Sequence, residues 1–468
     1  MIRLSATSPD PEAIAIVAPD ADTVLTYGEL ARRVDTIAQE LRRHPGELVF
    51  LLVRNDLATV LAMLGFRAAS CAVVLLDADL GTELLQGFCD TYQPNAIIAS
   101  TARTGARLDA AGTTLWIETR DSLPASPVHH DLALCLATSG STGSPKLVQL
   151  AATAIDANAH AIAAALGITT EDRAVACLPL HYAYGLSILT SHLAAGASVV
   201  LTTSNVMDAA FWTAVKRNLV TALSGVPFTY ELLEKLRLER VIPPAIRVMT
   251  QAGGKIADDV AMRVHAFMAA RGGRFHVMYG QTEATARIAV MPHDWLPAKI
   301  GSVGRAVPGG ELTVQAEDGT SLPQGAMGEV VYRGPNVMLG YATGRADLAR
   351  GDVLGGSLRT GDLGLLDIDG CLRITGRLKR IGKLFGVRID LDFVERLASG
   401  DAPAAVIEGS DRLLVFSTGD DSVDLAVLGS RIAARLRVQQ RNIDVRRVTS
   451  LPRTASGKVD YPALRAIA

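Results

Sequence analysis

The sequence predicts an α/β protein: a large N-terminal domain of stacked, mostly parallel α/β sheets with a small β-barrel-like unit, then a small α+β C-terminal domain. Three observations carry this. Apolar runs of strand length alternate with alanine-rich helical stretches through the first two thirds of the chain. Beyond Val303 the segments become short and punctuated by glycine. At 468 residues the chain is too long for one ordinary core. The expected division is 1–377 for the large domain, with its β-rich part at about 303–376, and 378–468 for the small one.

The elements follow in order. Residues 48–53 (LVFLLV) form a buried-strand pattern, 57–69 suit a helix, and 72–76 (AVVLL) form another strand. Segments 95–99 and 131–137 are of the same type. Residues 152–166 read as a helix stopped by Gly167 in a C-cap position. Strands continue at 197–202, 222–226 and 246–250, with a helix at 229–236. Continuous apolar strands separated by helices argue for parallel sheets covered on both faces. Later, DG and GG turn signals separate GELTVQAEDGTSL, GEVVYRGPNVMLGY and GLLDIDGCLRITG, the pattern of a small antiparallel unit. After a basic loop from Arg377 come a helix at 391–398, a strand at 413–417, a helix at 422–436, and a β segment leading to a loop near Pro452.

Composition narrows the function classes. A net charge of -2 gives no nucleic-acid or anionic-membrane footprint. The five cysteines are widely spaced and form no CxxC pair, which argues against a disulfide framework or a zinc site and for reduced thiols. The opening MIRLSATSPDPEA lacks a basic start followed by an apolar run, and the longest apolar stretches fall short of a membrane span. A soluble, cytoplasmic protein is the expectation.

The strongest local signal is ATSGSTGSPKLV at 137–148. Thr138, Ser139, Gly140, Ser141, Thr142 and Gly143 follow a buried strand and are all Ser, Thr or Gly. Glycines let backbone N–H groups approach phosphate closely, hydroxyls add donors, and Lys146 adds positive charge. The order is not that of a Walker loop, since Pro145 precedes the lysine and Leu147 follows it. There is also no early GxGxxG of the nicotinamide-binding type.

TSGSTGSPK resembles the phosphate-loop signature of the adenylate-forming superfamily, which holds acyl-CoA synthetases, peptide-synthetase adenylation domains and luciferases. Five further motifs stand in that family's order: LPLHYAYGLS (178–187), YGQTEA (279–284), RTGDLG (359–364), GRLKRIGKLFGVRI (376–389) and PRTASGK (452–458). LTYGELA (25–31), GSVGRAVPG (301–309) and GEVVYRGPNVMLGY (328–341) also fit, so the resemblance covers nearly the whole chain. It is closest in type to the acyl-CoA ligases. It implies activation of a carboxylic acid by ATP to an acyl-adenylate, release of pyrophosphate, and transfer to the thiol of CoA.

The chemistry suits those residue types. A carboxylate is a poor electrophile until its oxygen is made part of a leaving group, and joining it to ATP brings two anions together. Catalysis is then mostly charge neutralisation and positioning. The resemblance implies Glu283 as the Mg2+ ligand, with Thr142 of the loop beside it; oxygen ligands are what this ion prefers. It implies Thr282 at the α-phosphate, Tyr279 packed on adenine, and Gly280 and Gln281 in the same nucleotide-binding turn. Asp362 would grip ribose hydroxyls and Arg377 would reach ribose or phosphate. Lys458 would approach the bridging oxygen during adenylation. His181 would sit at the acyl-pocket entrance, with Tyr182, Gly185, Gly253 and Gly254 lining the pocket. Lys379 resembles the hinge, and Gly386 and Arg388 belong to a loop that enters for the thiol step, where glycine suits passage of a pantetheine arm.

Some positions depart from the family. Leu147 replaces the glycine that often follows the loop lysine, and the hinge is basic (Arg377, Lys379, Arg380, Lys383) instead of acidic. Amino-acid-activating members keep an aspartate near the place of Tyr182; a neutral residue argues for a plain fatty or aryl acid. The basic hinge favours the phosphates of CoA by charge, while a separate carrier protein's phosphopantetheine is the alternative acceptor. A catalytically inactive nucleotide-binding relative is the reading from another class; it predicts loss of Glu283, Asp362 or Lys458, and all three are present.

Overall fold

The structure is a computed structural model describing residues 10–41, 46–120, 127–138, 146–384, 387–400, 402–409, 412–420, 423–436, 438–454 and 457–468. The chain divides into two compact units, Met1–Glu311 with Tyr332–Leu358, and Leu312–Val331 with Arg359–Ala468. Residues 312–331 and 359–377, expected with the large domain, thus group with the C-terminal segment. The reason is local: the strand Ser357–Leu366 and its neighbour Leu372–Arg377 form an antiparallel hairpin inside a four-stranded sheet with Glu311–Gln315 and Gly328–Arg333.

In the first unit, one sheet centres on parallel strands Arg274–Tyr279, Val248–Gln251, Ala222–Gly225, Arg173–Ala176, Ser198–Leu201 and Ile14–Ala18. The other centres on parallel strands Leu132–Thr138, Ala72–Asp77, Leu48–Val53 and Ala96–Ala99. Every residue of Leu48–Val53 is buried, as a strand covered on both faces requires. Antiparallel strands extend the edges, among them Thr23–Thr26, Ala106–Ala110, Thr113–Thr119 and Lys146–Ala151. Each sheet has its own core, around Leu223, Tyr230, Met249 and Phe275 in one and Phe50, Val74, Phe88 and Cys135 in the other. Each such side chain contributes on the order of 2 kcal/mol.

Helix boundaries follow capping chemistry. Ala152–Leu166 ends at Gly167, whose φ of 62° lies in the left-handed region glycine favours. The helix expected at 229–236 starts earlier, as Pro227–Lys235, because proline fits the first helical turn, whose N–H groups lack partners. Tyr27–Glu40 begins with a reciprocal cap: Thr26 accepts from the Glu29 N–H and the Glu29 carboxylate accepts from the Thr26 N–H.

The second unit also holds a three-stranded sheet, Ala404–Glu408, Leu413–Ser417 and Ile443–Arg447, covered by helices Leu391–Ala398 and Leu425–Leu436 through Val394, Val406, Val415 and Ile432. The five cysteines are free, and four are buried. Among the described residues no helix is long and apolar enough to cross a membrane.

Candidate active site

The strands Leu132–Thr138 and Lys146–Ala151 pair antiparallel, with Thr138 opposite Lys146. Both residues therefore stand at the mouth of the serine- and glycine-rich loop. Ser139, Gly140, Ser141, Thr142 and Gly143 lie outside the described residues. The strand Gly340–Ala342 pairs along Lys146–Ala151 and brings Tyr341 alongside. The Lys146 ammonium sits 3.0 Å from the centre of the Tyr341 ring, a cation–π contact. The Tyr341 hydroxyl donates to Glu283 Oε1 at 2.7 Å. Lys146, Tyr341 and Glu283 thus form one connected line from the loop mouth to the carboxylate. Burial, then the neighbouring carboxylate, pushes the Tyr341 phenol well above its usual range, so it stays a neutral donor.

Glu283 lies in the short 3-10 turn Thr282–Ala284, after the strand Arg274–Tyr279. Its carbonyl accepts from the Met338 N–H at 2.9 Å. Asn336 donates to the carbonyls of Ala284 (2.8 Å) and Arg287 (3.0 Å), and Thr285 donates to the Asn336 carbonyl at 2.7 Å. Thr285 has a φ of 63°, a strained value for a β-branched residue and one that this network enforces. Gly280 allows the turn to close, because a Cβ there would lie 1.7 Å from the Ala286 carbonyl oxygen. Gln281 donates to the Tyr279 hydroxyl at 3.1 Å, and both residues are half-buried beside Thr282. Glu283 Oε2 accepts no hydrogen bond among the described residues. A hard carboxylate oxygen left open, linked through Tyr341 to Lys146, is of the kind that a magnesium ion prefers.

The expected acyl segment is built on a clamp that sequence reasoning missed. Asn55 follows the strand Leu48–Val53; its amide donates to the carbonyls of Ala176 (2.8 Å) and Leu178 (2.9 Å), and its oxygen accepts from the Leu180 N–H (3.1 Å). His181 follows directly. Its Nε2 lies 3.7 Å from Asp77 Oδ2, at the end of the neighbouring strand. Burial lowers the imidazole below its ordinary range, with Asp77 pulling the other way, so His181 is neutral at physiological pH. Tyr182 stands at the N-cap position of the helix Ala183–Ala194, and Gly185 lies in its first turn, where a Cβ would come within 2.2 Å of the Pro179 carbonyl oxygen. Gly253 has a φ of 87° and lies under the Tyr182 hydroxyl, 2.5 Å from where a Cβ would be. Gly254 packs against Pro227. Tyr182, Gly253 and the helix are therefore brought together. Beneath them, Tyr184 donates to Thr250, and burial pushes its phenol up to about 12.

In the second unit, Asp362 faces Arg377 across the hairpin. Arg377 Nε lies 2.9 Å from Asp362 Oδ1, and the carboxylate is 3% exposed against 58% for the arginine side chain. One carboxylate oxygen is therefore already engaged, which narrows the expected two-oxygen grip on ribose. Lys379 falls in the turn Leu378–Arg380 and Arg388 in the strand Val387–Asp390, while Gly386 lies outside the described residues. Arg380 pairs with Glu395 at 2.7 Å, contacts Asp392 and stacks on Tyr461, whose hydroxyl donates to Glu395 at 2.9 Å. Two of the four cations of the basic hinge are thus bound to carboxylates. Lys458 is exposed, in a tight turn closed by the Thr454 N–H to its carbonyl (2.8 Å), with Gly457 at a φ of 78°.

Comparison with known proteins adds to this geometry. The AMP-binding enzyme family model matches residues 5–342. Pyochelin synthetase PchE of Pseudomonas aeruginosa is 30% identical over 97% of this chain, which spans only 31% of that protein. A feruloyl-CoA synthase of an Amycolatopsis species is 30% identical over 76% of this chain and 74% of its own length. A solved structure of o-succinylbenzoate CoA synthetase from Bacillus subtilis, in complex with its acyl-adenylate intermediate, superposes with a TM-score of 0.78 at 24% identity, covering 97% of this chain and 96% of that one. At that identity the likeness is one of fold.

Proposed function

The chain belongs to the AMP-binding enzyme family, and on that premise we propose that it is an AMP-forming acid–thiol ligase that activates a carboxylic acid with ATP and passes the acyl group to CoA. The observation that carries this is the line from Lys146 through Tyr341 to Glu283, which joins a phosphate loop to an open carboxylate oxygen.

In the first step a substrate carboxylate oxygen attacks the α-phosphorus of ATP. The α–β bridging bond breaks, and acyl-AMP and pyrophosphate form. Lys146 and the loop hold the phosphates, Thr282 meets the α-phosphate, and Tyr279, Gly280 and Gln281 border the adenine. Glu283 would hold a magnesium ion, whose chemistry there would be to neutralise phosphate charge. Asp362 and Arg377 hold the ribose, and Lys458 stabilises the charge that develops on the bridging oxygen. In the second step the thiol sulfur attacks the acyl carbon, the thiol proton is lost, and AMP departs with its oxygen. Neutral His181 stands at the pocket entrance and adds no charge beside the incoming carboxylate. The segment 378–468 swings about Lys379 between the two steps, exchanging Lys458 for the Gly386 and Arg388 loop. With Tyr182 where an aspartate would pair an ammonium, the acid is not an α-amino acid. A cytoplasmic location suits a reaction that draws on ATP and CoA.

One observation favours a second acceptor, the phosphopantetheine of a separate carrier protein. Arg377 and Arg380 are paired with carboxylates, so the hinge offers less free positive charge to CoA than its composition suggests. The test is to incubate the protein with ATP, Mg2+ and panels of fatty and aryl acids, with either CoA or a pantetheinylated carrier protein, and to weigh the products. Acyl-CoA with equimolar AMP supports the reading. Loading of the carrier alone selects the second acceptor, and ADP in place of AMP overturns both.

A further inference from the structure

Arg287 lies four residues beyond Glu283, and the adenylation chemistry above gives it no role. It is 2% exposed and among the largest fully buried side chains of the protein. Its backbone is fixed on both sides: its N–H donates to Asn158 (3.1 Å), and its carbonyl accepts from Asn158 and Asn336 (3.0 Å each). The guanidinium lies 4.5 Å from the centre of the Tyr184 ring. Its Nη2 is 3.4 Å from Ser187 Oγ, and its Nε has no hydrogen-bond partner. Among the described residues it makes no ion pair.

A buried cation without a counter-ion is costly, and native proteins keep one only where something compensates it. Arg287 borders a cavity whose volume, measured to the centre of a water-sized sphere, is ≈ 20 Å³. Tyr184, Ser187, Ser224 and Thr250 supply hydroxyls to its wall, and the rest is mostly apolar. The carboxylate among the lining residues, Asp172, is held by Arg247 at 3.1 Å. Arg274 also borders the space. The lining therefore carries two arginines and no carboxylate that is not already paired. The helix that carries Tyr184 and Ser187 begins directly after His181 and Tyr182, and Thr250 stands three residues before Gly253. The cavity thus lies under the expected acyl segment.

We propose that Arg287 receives a second carboxylate on the acyl substrate, so that the acid activated is a dicarboxylic acid. This rests on the adenylation reading above. A planar guanidinium with an open Nε edge matches a carboxylate's two oxygens, and the ring of Tyr184 beneath it holds that plane. A space of this size holds about one water, and a carboxylate oxygen at the open Nε edge would take that water's place.

The test compares acids matched in carbon skeleton: succinic with butyric, glutaric with valeric, adipic with hexanoic, and phthalic with benzoic. Acid-dependent ATP–pyrophosphate exchange is measured for the wild type, Arg287→Met and Arg287→Lys. The wild type prefers one of the diacids over its partner by at least about tenfold in kcat/KM. Arg287→Met lowers diacid use about a hundredfold or more, the usual size for losing one member of a buried charge pair, and raises monoacid use. Arg287→Lys, which keeps the charge without the fork, falls between. A wild type that prefers monoacids, or a preference that Arg287→Met leaves unchanged, overturns the inference while adenylation stands. Binding is followed separately by thermal shift and calorimetry, without ATP. Diacid binding that depends on Arg287, with no exchange for any acid, supports the site and refutes the adenylation reading. Absence of both exchange and diacid binding overturns the inference. Arg287→Met alone melts higher than the wild type if the buried charge is uncompensated; a lower melting temperature with unchanged diacid binding counts against it.

Discussion

Tyr341 is the residue whose replacement most sharply separates the connected line from a chance cluster. Tyr341→Phe removes the 2.7 Å hydrogen bond to Glu283 and leaves the ring beneath Lys146. Hydrogen bonds to charged groups contribute about 1.5–3 kcal/mol when buried. Tyr341 is 38% exposed, so about 1 kcal/mol is the appropriate size here, or about fivefold in an equilibrium or rate. Tyr341→Leu also removes the cation–π contact, worth about 0.5–1 kcal/mol more at an exposed site. At limiting Mg2+, kcat/KM for ATP should therefore fall about fivefold in Tyr341→Phe and about 10- to 30-fold in Tyr341→Leu. Saturating Mg2+ should recover part of the Phe loss if Glu283 is the metal ligand proposed above, because the hydrogen bond orients its carboxylate. The assay is initial-rate pyrophosphate release across a Mg2+ titration, with melting curves to confirm that both variants are folded. Wild-type kinetics in Tyr341→Phe, or equal losses in the two variants, would refute the connection.

Three further outcomes follow from other parts of the molecule. Lys458→Ala abolishes adenylation yet spares thioester formation from supplied acyl-adenylate; equal loss of both steps, measured by product formation, contradicts the two-step use of the small domain. Asn55→Ala strips three hydrogen bonds from the segment 176–180; it should lower stability by about 2–3 kcal/mol and raise KM for the acid more than KM for ATP, as read from denaturation and steady-state kinetics. His276 is buried, its Nδ1–H donating to the Met291 carbonyl. Burial brings its imidazole down to about 4, with the Met291 carbonyl and Asp294 opposing and His293 and Arg274 pushing further down. Its folded value lies below the ordinary value near 6.5, so its contribution is complete above that pH and is lost as pH falls towards 4. That interval amounts to about 3 kcal/mol, and His276→Leu should flatten the acid limb of the stability curve over this range.

Much of the fold was legible because buried parallel strands write themselves as continuous apolar runs. Leu48–Val53 and Ala72–Asp77 are examples. The edge strands Ala106–Ala110 and Thr113–Thr119 were not legible: the first is largely solvated, and the second is half-buried with an apolar run of only three residues, Leu115 to Ile117. The helix Ala152–Leu166 was readable to its last residue because Gly167 marks its end. In the site, Glu283, Asp362 and Lys458 stood out through their motif surroundings. Tyr341 sat within a quoted motif, but its contact to Glu283 spans a sequence separation that no local pattern reveals. Asn55 and Asp77 lie at the ends of apolar strands, where a polar residue reads as a routine turn. Arg287 lies just past YGQTEA, and only burial makes an arginine there unusual. The basic hinge shows the opposite limit: composition counts cations, and only the structure reveals that Arg377 and Arg380 are bound to carboxylates.

The most direct test of the central claim is ATP–pyrophosphate exchange by the purified protein with pooled fatty, aryl, dicarboxylic and amino acids, each with and without Mg2+. The expected result is Mg2+-dependent exchange driven by a pool of non-amino carboxylic acids and abolished in Glu283→Gln. Exchange that responds to no carboxylic acid in any pool, despite calorimetric binding of ATP, would contradict it.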